Sequence, residues 1–234
     1  MPRTAFLFPG QGAQTVGMAK TLVEMHPAAL ARFNEASAIL GYDLLDLCVN
    51  GPKERLDATD VSQPAIFVAS IAALDGLGAT EPDAASDCVA TAGLSLGEYT
   101  ALTFAGALSF ADGVRLVQKR GQAMQAAADA TPSGMVSVLT MELPAVEELV
   151  AEARSAGTLE LANFLCPGNI VASGTRAACD LLEKLVEAKG GRTVRLAVAG
   201  AFHTNIMKPA DERLGEALAE VAIRAPRIPV WSNV

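Results

Sequence analysis

Apolar and polar positions along this 234-residue chain alternate between short unbroken apolar runs and helical spacing. Thr4-Ala5-Phe6-Leu7-Phe8 is a short apolar run stopped by Pro9-Gly10, the pattern of a buried strand followed by a loop. Residues 18–25 read as a helix, and Pro27 disfavours helical geometry at His26. Residues 28–40 read as a second helix ending near Gly41. Ser62-Gln63-Pro64 opens a long apolar helix that runs to about Gly76–Gly78, with Pro64 near its first turn. Cys88-Val89-Ala90-Thr91-Ala92 is a strand that leads through Gly93-Leu94-Ser95-Leu96-Gly97 into a helix from Glu98. Another helix covers 111–128. Strands alternating with helices predict an α/β fold with a parallel sheet.

Between 133 and 198 the pattern changes. Strands are predicted over 135–139, 159–163, 169–173 and 193–198, and helices over 144–156 and 175–188. The order β-α-β-β-α-β is that of a ferredoxin-like unit. The predicted organisation is therefore a large α/β domain made of residues 1–130 and 199–234, with a small domain inserted at 131–198. Pro229-Val230-Trp231-Ser232-Asn233-Val234 has the look of a strand beginning, so the large domain is expected to be incomplete at its C-terminal end.

Composition narrows the class. Hydrophobic residues make up 51% and charged residues 19%, which predicts a sizeable buried core. No run of about 18 uninterrupted apolar residues occurs, so no membrane association is expected. The net charge of −8 argues against a nucleic-acid partner. Four widely spaced cysteines without a C-x-x-C pair read as reduced thiols, which points to the cytoplasm. Only two histidines are present, so a metal site is not expected and histidine chemistry must use His26 or His203.

Four features could carry chemistry. Gly93-Leu94-Ser95-Leu96-Gly97 matches G-x-S-x-G, between an apolar strand and a helix. Small residues on both sides permit a tight, strained turn that lifts the serine hydroxyl onto a helix N-terminus. The same glycines also suit an ordinary strand–helix turn. A nucleophilic serine needs a base. His203, in the small-residue loop Ala199-Gly200-Ala201-Phe202-His203-Thr204 after a predicted strand, is better placed for that than His26. Arg120 falls in the middle of the helix face formed by Gly113, Leu116, Val117, Met124 and Ala127. An arginine on a buried face needs an anion, either an internal carboxylate or a ligand's. The loop Pro9-Gly10-Gln11-Gly12-Ala13-Gln14 fails both the G-x-G-x-x-G and P-loop patterns, but can supply a second backbone N–H to an oxyanion hole.

Together, Phe8-Pro9-Gly10-Gln11-Gly12, Gln63-Pro64-Ala65, Gly93-Leu94-Ser95-Leu96-Gly97-Glu98-Tyr99, Arg120-Gly121 and Phe202-His203 resemble the malonyl-CoA:acyl carrier protein transacylases, in that family's order along the chain. The resemblance implies an α/β-hydrolase-like large domain with a ferredoxin-like small domain. It implies an acyltransferase of fatty acid synthesis that moves a malonyl group from malonyl-CoA to the phosphopantetheine thiol of an acyl carrier protein. Ser95 would be the acylated nucleophile and His203 its base. The N–H groups of Gln11 and Leu96 would form the oxyanion hole. Arg120, Met124, Phe202 and Gln63 would bind substrate, with Arg120 on the malonyl carboxylate and the Phe202 ring leaving little room for an α-branch. No cofactor is implied, and the expected assembly is a stand-alone monomer. Many relatives carry His before the serine where this chain has Leu94. They also continue past the position of Val234, where a backbone carbonyl orients the histidine. Two other functions fit parts of the pattern: a serine esterase or thioesterase, which would share Ser95 and His203 without needing Arg120, and a non-catalytic module that binds CoA or a carrier protein.

Overall fold

A computed structural model describes residues 4–233. Met1, Pro2, Arg3 and Val234, with the ends of the predicted large domain, lie outside the described residues. The chain divides into two compact units, one of Met1–Gln122 with Leu214–Val234 and one of Ala123–Arg213.

The larger unit holds a parallel three-stranded sheet. Strand β1 (Thr4–Phe8) pairs with β2 (Cys88–Gly93), which pairs on its other side with the two-residue β7 (Val230–Trp231). Its helices are α1 (Lys20–Met25), α2 (Pro27–Leu40), α3 (Leu44–Asn50), α4 (Lys53–Asp57), α5 (Thr59–Thr80), α6 (Gly97–Phe104) and most of α7 (Phe110–Ala130). The core of this unit forms around α5, where Phe67, Val68 and Val61 are fully buried with Phe33 of α2, Leu44 of α3 and Val114 and Val117 of α7. Burying each such side chain contributes about 1.5–3 kcal/mol. By length and composition α5 could cross a membrane, but 61% of its most apolar window is buried within the protein, as expected of a central core helix.

Helix α5 starts at Thr59, one turn earlier than the proline pattern predicts, and extends to Thr80. The first turn forms because the Ala58 carbonyl accepts from the N–H groups of Val61 and Ser62. Pro64 consequently lies inside the helix rather than in its first turn. Helices α3 and α4 are absent from the sequence reading, being too short to show a helical period. Asp43 caps α3 by accepting from the Asp46 N–H at 2.9 Å.

The smaller unit is an antiparallel sheet of β3 (Ser133–Leu139), β4 (Leu159–Cys166), β5 (Asn169–Thr175) and β6 (Arg192–Arg195) in the order β4-β5-β3-β6. Helices α8 (Leu143–Ala153) and α9 (Arg176–Ala188) follow β3 and β5. Period-two alternation sorts the central strands. Val136, Val138, Ile170 and Ala172 join Val146, Leu149, Leu182 and Val186 of the two helices in one buried cluster. Met135 and Val171 point the other way, into a second cluster with Ala123, Met124, Ala127 and Ala128 from the end of α7 and with Phe202, Met207 and Ala210. This second face explains where the unit ends. The sequence reading places the boundaries at 130/131 and 198/199, whereas the compact units divide at 122/123 and 213/214. The segments 123–130 and 199–213 go with the smaller unit because they cover its exposed sheet face. Helix α10 (Lys208–Ala219), also absent from the sequence reading, leaves that cover and runs on into the larger unit's last segment.

Candidate active site

The turn from β2 to α6 presents Ser95 in the left-handed region, with φ of 49°. For a residue with a Cβ this conformation costs about 1–2 kcal/mol, and close backbone approach enforces it. A Cβ on Gly93 would lie 1.9 Å from the Gly97 carbonyl carbon, and one on Gly97 would lie 2.3 Å from the Phe8 carbonyl oxygen. No other residue fits at either position. The turn also bonds to β1, the Leu94 N–H donating to the Phe8 carbonyl at 3.1 Å. Gly10, after β1, meets the Leu94 carbonyl so closely that its Cβ would sit 2.6 Å from that oxygen. The loop carrying Gln11 is thus held against the serine turn. The Leu96 N–H precedes the first residue of α6, where helix N–H groups have no intrahelical partner and favour developing negative charge.

Arg120 lies on the buried face of α7 together with Gly113, Leu116, Val117, Met124 and Ala127, as the periodicity predicts, while Arg115, Lys119 and Gln122 are exposed. Gly121 brings this stretch against the start of α5, since a Cβ there would meet the Thr59 carbonyl oxygen at 2.6 Å. That approach puts Arg120 beside Gln63. Arg120 is 8% exposed. Its Nη1 donates to Gln63 Oε1 at 2.8 Å and its Nη2 donates to Ser95 Oγ at 2.8 Å. Its charge also stands 5.6 Å from the centre of the Tyr99 ring. Burial lowers the Arg120 pKa, opposed by Tyr99 and Glu98. Burial likewise raises the Tyr99 phenol, and Arg120 pulls it back. Among the described residues no carboxylate forms an ion pair with Arg120. The internal-partner explanation of this buried charge therefore lacks its carboxylate.

Ser95, Arg120, Gln63, Leu96 and Gln11 thus belong to the larger unit, and His203, Phe202 and Met124 to the smaller. His203 is the second of the two expected catalytic residues with a positive φ, at 61°. Its side chain is exposed, while neighbouring Phe202 and Thr204 are buried. The loop is pinned on both sides of it. The Ala201 N–H donates to Ser133 Oγ at 3.0 Å, and Thr204 Oγ1 donates to the Ala201 carbonyl at 2.8 Å. Met124 and Phe202 share one apolar cluster. His26 is half-buried between α1 and α2, against Gly76, and has no part in this arrangement.

Sequence reasoning missed Tyr99 and Glu98 as members of the site. Both sit in the first turn of α6, and Tyr99 lies four residues after Ser95, the helical spacing that could have pointed to it. Among the described residues no group of three or more His, Cys, Asp or Glu side chains could hold a metal ion. The four cysteines are free thiols, three of them buried and Cys166 exposed.

The sequence model of the acyl transferase domain matches residues 5–234. The chain belongs to the acyl transferase domain family. This acyl transferase domain is 45% identical over 240 residues to the mitochondrial malonyl-CoA-acyl carrier protein transacylase of Homo sapiens, an alignment covering 99% of this chain and 61% of the human one. It is 43% identical to the malonyl CoA-acyl carrier protein transacylase of Bacillus subtilis, covering all of this chain and 73% of that one. Among solved structures, the malonyl CoA-acyl carrier protein transacylase of Coxiella burnetii superposes with a TM-score of 0.95 at 36% identity, over all of this chain and 74% of that one. This acyl transferase domain therefore spans about three-fifths of the length of its human relative and about three-quarters of its bacterial ones.

Proposed function

We propose that the chain transfers a malonyl group from malonyl-CoA to the phosphopantetheine thiol of an acyl carrier protein through a malonyl ester on Ser95. The observation that carries this reading is Arg120: a buried guanidinium with neutral hydrogen-bond partners, one of them the nucleophile's own oxygen. Such a charge favours an acyl group bearing a carboxylate close to its thioester, which describes malonyl and excludes acetyl. Gln63 orients the guanidinium. Phe202 and Met124, which share one apolar cluster, are the residues this reading assigns to disfavouring an α-branch. The large domain is α/β-hydrolase-like, and the β6-β3-β5-β4 order of the small sheet supports a ferredoxin-like unit.

In the first half-reaction His203 accepts the Ser95 proton as Oγ bonds to the thioester carbon. The resulting oxyanion is stabilised by the Gln11 and Leu96 N–H groups. Collapse breaks the carbon–sulfur bond, and the CoA sulfur takes the proton from His203. In the second half the pantetheine thiol gives its proton to His203 and attacks the ester, and Ser95 recovers the proton on release. No cofactor takes part. A reducing compartment such as the cytoplasm fits the free thiols.

The test compares malonyl-CoA with acetyl-CoA on wild type and Arg120→Ala. Losing one partner of a buried charge pair costs about 2–5 kcal/mol. The variant should therefore lose its malonyl preference, while acetyl transfer changes little. An Arg120→Ala protein that keeps the preference would contradict the reading, as would a wild type that hydrolyses neutral esters and transfers nothing to a carrier protein.

A further inference from the structure

Strand β7 runs alongside β2, with Val230 opposite Thr91 and Trp231 opposite Ala92. The two residues that follow, Ser232 and Asn233, consequently arrive beside the serine turn. The Asn233 carboxamide spans that turn with both of its ends. Nδ2 donates to the Gly93 carbonyl at 2.8 Å, and Oδ1 accepts from the Ser95 N–H at 3.1 Å. Glu98, in the first turn of α6, decides which end faces which way. Its carboxylate accepts from the Asn233 N–H at 3.2 Å, from Ser232 Oγ at 3.1 Å and from Asn233 Nδ2. A carboxylate only accepts, so it selects the amide orientation with the NH₂ group toward Glu98 and the oxygen toward Ser95.

We infer that Asn233, oriented by Glu98, is a positioning residue for the nucleophile. Resting on the acyl-transfer reading above, it holds Ser95 in its left-handed conformation. It also commits the Ser95 N–H to a protein acceptor, so that the oxyanion is received by Leu96 and Gln11. A residue in a sparsely populated conformation persists only where its surroundings over-determine it. Glycine contacts fix the turn on the β1 side, and the Asn233 carboxamide fixes it on the β7 side.

Asn233→Asp keeps the acceptor for Ser95 but loses the donor to Gly93 and sets a second carboxylate beside Glu98. The double variant Glu98→Gln with Asn233→Asp restores a donor opposite an acceptor. Small misplacements of a reacting group cost on the order of 10²-fold, so Asn233→Asp should slow malonyl-serine formation by about that factor. Its KM for malonyl-CoA should stay within about twofold, because the Arg120 clamp is untouched. The double variant should recover part of the lost rate, because it removes the repulsion between the two carboxylates while the Gly93 carbonyl still lacks its donor.

Labelling of Ser95 by phenylmethanesulfonyl fluoride, which needs neither malonate nor CoA, should fall and recover in parallel. Unchanged acylation and labelling rates in folded Asn233→Asp would overturn the inference, as would a loss matched by the thermal midpoint that the double variant does not recover. A wild type that is labelled normally but never takes up malonyl would sink the transferase reading alone, and the labelling series would still test the positioning role.

Discussion

Ser95 and His203 both adopt left-handed backbone conformations, at φ of 49° and 61°, yet the two units enforce them by different means. At Ser95 the constraint is steric on the β1 side, with the Asn233 carboxamide bonded to the turn on the β7 side. Gly93 and Gly97 allow backbone atoms of β1, the turn and α6 to approach where no Cβ could fit. At His203 the constraint is a set of hydroxyl bonds. Ser133 Oγ holds the Ala201 N–H, and Thr204 Oγ1 donates to the Ala201 carbonyl and accepts from the Ile206 N–H. A turn built on excluded volume tolerates almost no substitution at its glycines. A loop built on three or four hydrogen bonds loses them one at a time. The Ser95 turn is accordingly the more rigid of the two and the His203 loop the more adjustable one.

The sharpest way to break this comparison is a methyl group at the steric side. Gly93→Ala places its Cβ 1.9 Å from a carbonyl carbon, and should destabilise the protein by more than about 4 kcal/mol. Chemical denaturation followed by circular dichroism measures this; a loss below about 1 kcal/mol would mean that the turn is not sterically set. On the other side, Ser133→Ala removes the bond to Ala201 and the bond from Ser133 Oγ to the Thr131 carbonyl at 2.9 Å. The expected cost is only about 1 kcal/mol per bond, and the thermal midpoint should fall modestly with fold and Ser95 reactivity retained. The smallest effect expected is a gain. Ser95→Gly and His203→Gly relieve about 1–2 kcal/mol of left-handed strain. Against this stands about 0.5–1 kcal/mol for the greater freedom of glycine in the unfolded chain. His203→Gly should therefore be as stable as wild type or slightly more so, whereas Ser95→Gly also takes the Oγ acceptor from the buried Arg120 and should fall below it; both should lose activity.

Much of this arrangement is legible in the sequence. The serine turn announces itself through two glycines flanking a serine between a strand and a helix. The buried face of α7 follows from spacing alone, with Arg120 conspicuous among apolar residues. The order of the small sheet's elements is visible in the switch between periods of two and 3.6. The limits of the units are not, because they depend on which face of β3 and β5 needs cover. Met135 and Val171 look like any other strand residues until the cover from 123–130 and 199–213 is seen. Asn233 is illegible for a similar reason. Nothing local marks it, and its role arises only because β7 pairs with β2, 138 residues away from Ser95 in sequence. Helices α3 and α4 escape notice because they are too short to show a period, and α10 because most of its positions are exposed.

The central claim is that Ser95 attacks an acyl thioester chosen by the charge on Arg120. Its most direct test is the intact mass of the protein after brief exposure to malonyl-CoA, with acetyl-CoA and Ser95→Ala in parallel, followed by peptide mapping of any adduct. One malonyl group is expected on wild type, mapped to Ser95, absent from Ser95→Ala, far weaker from acetyl-CoA, and discharged by a holo acyl carrier protein. A folded protein that takes up no malonyl group, or takes up acetyl equally well, would contradict it.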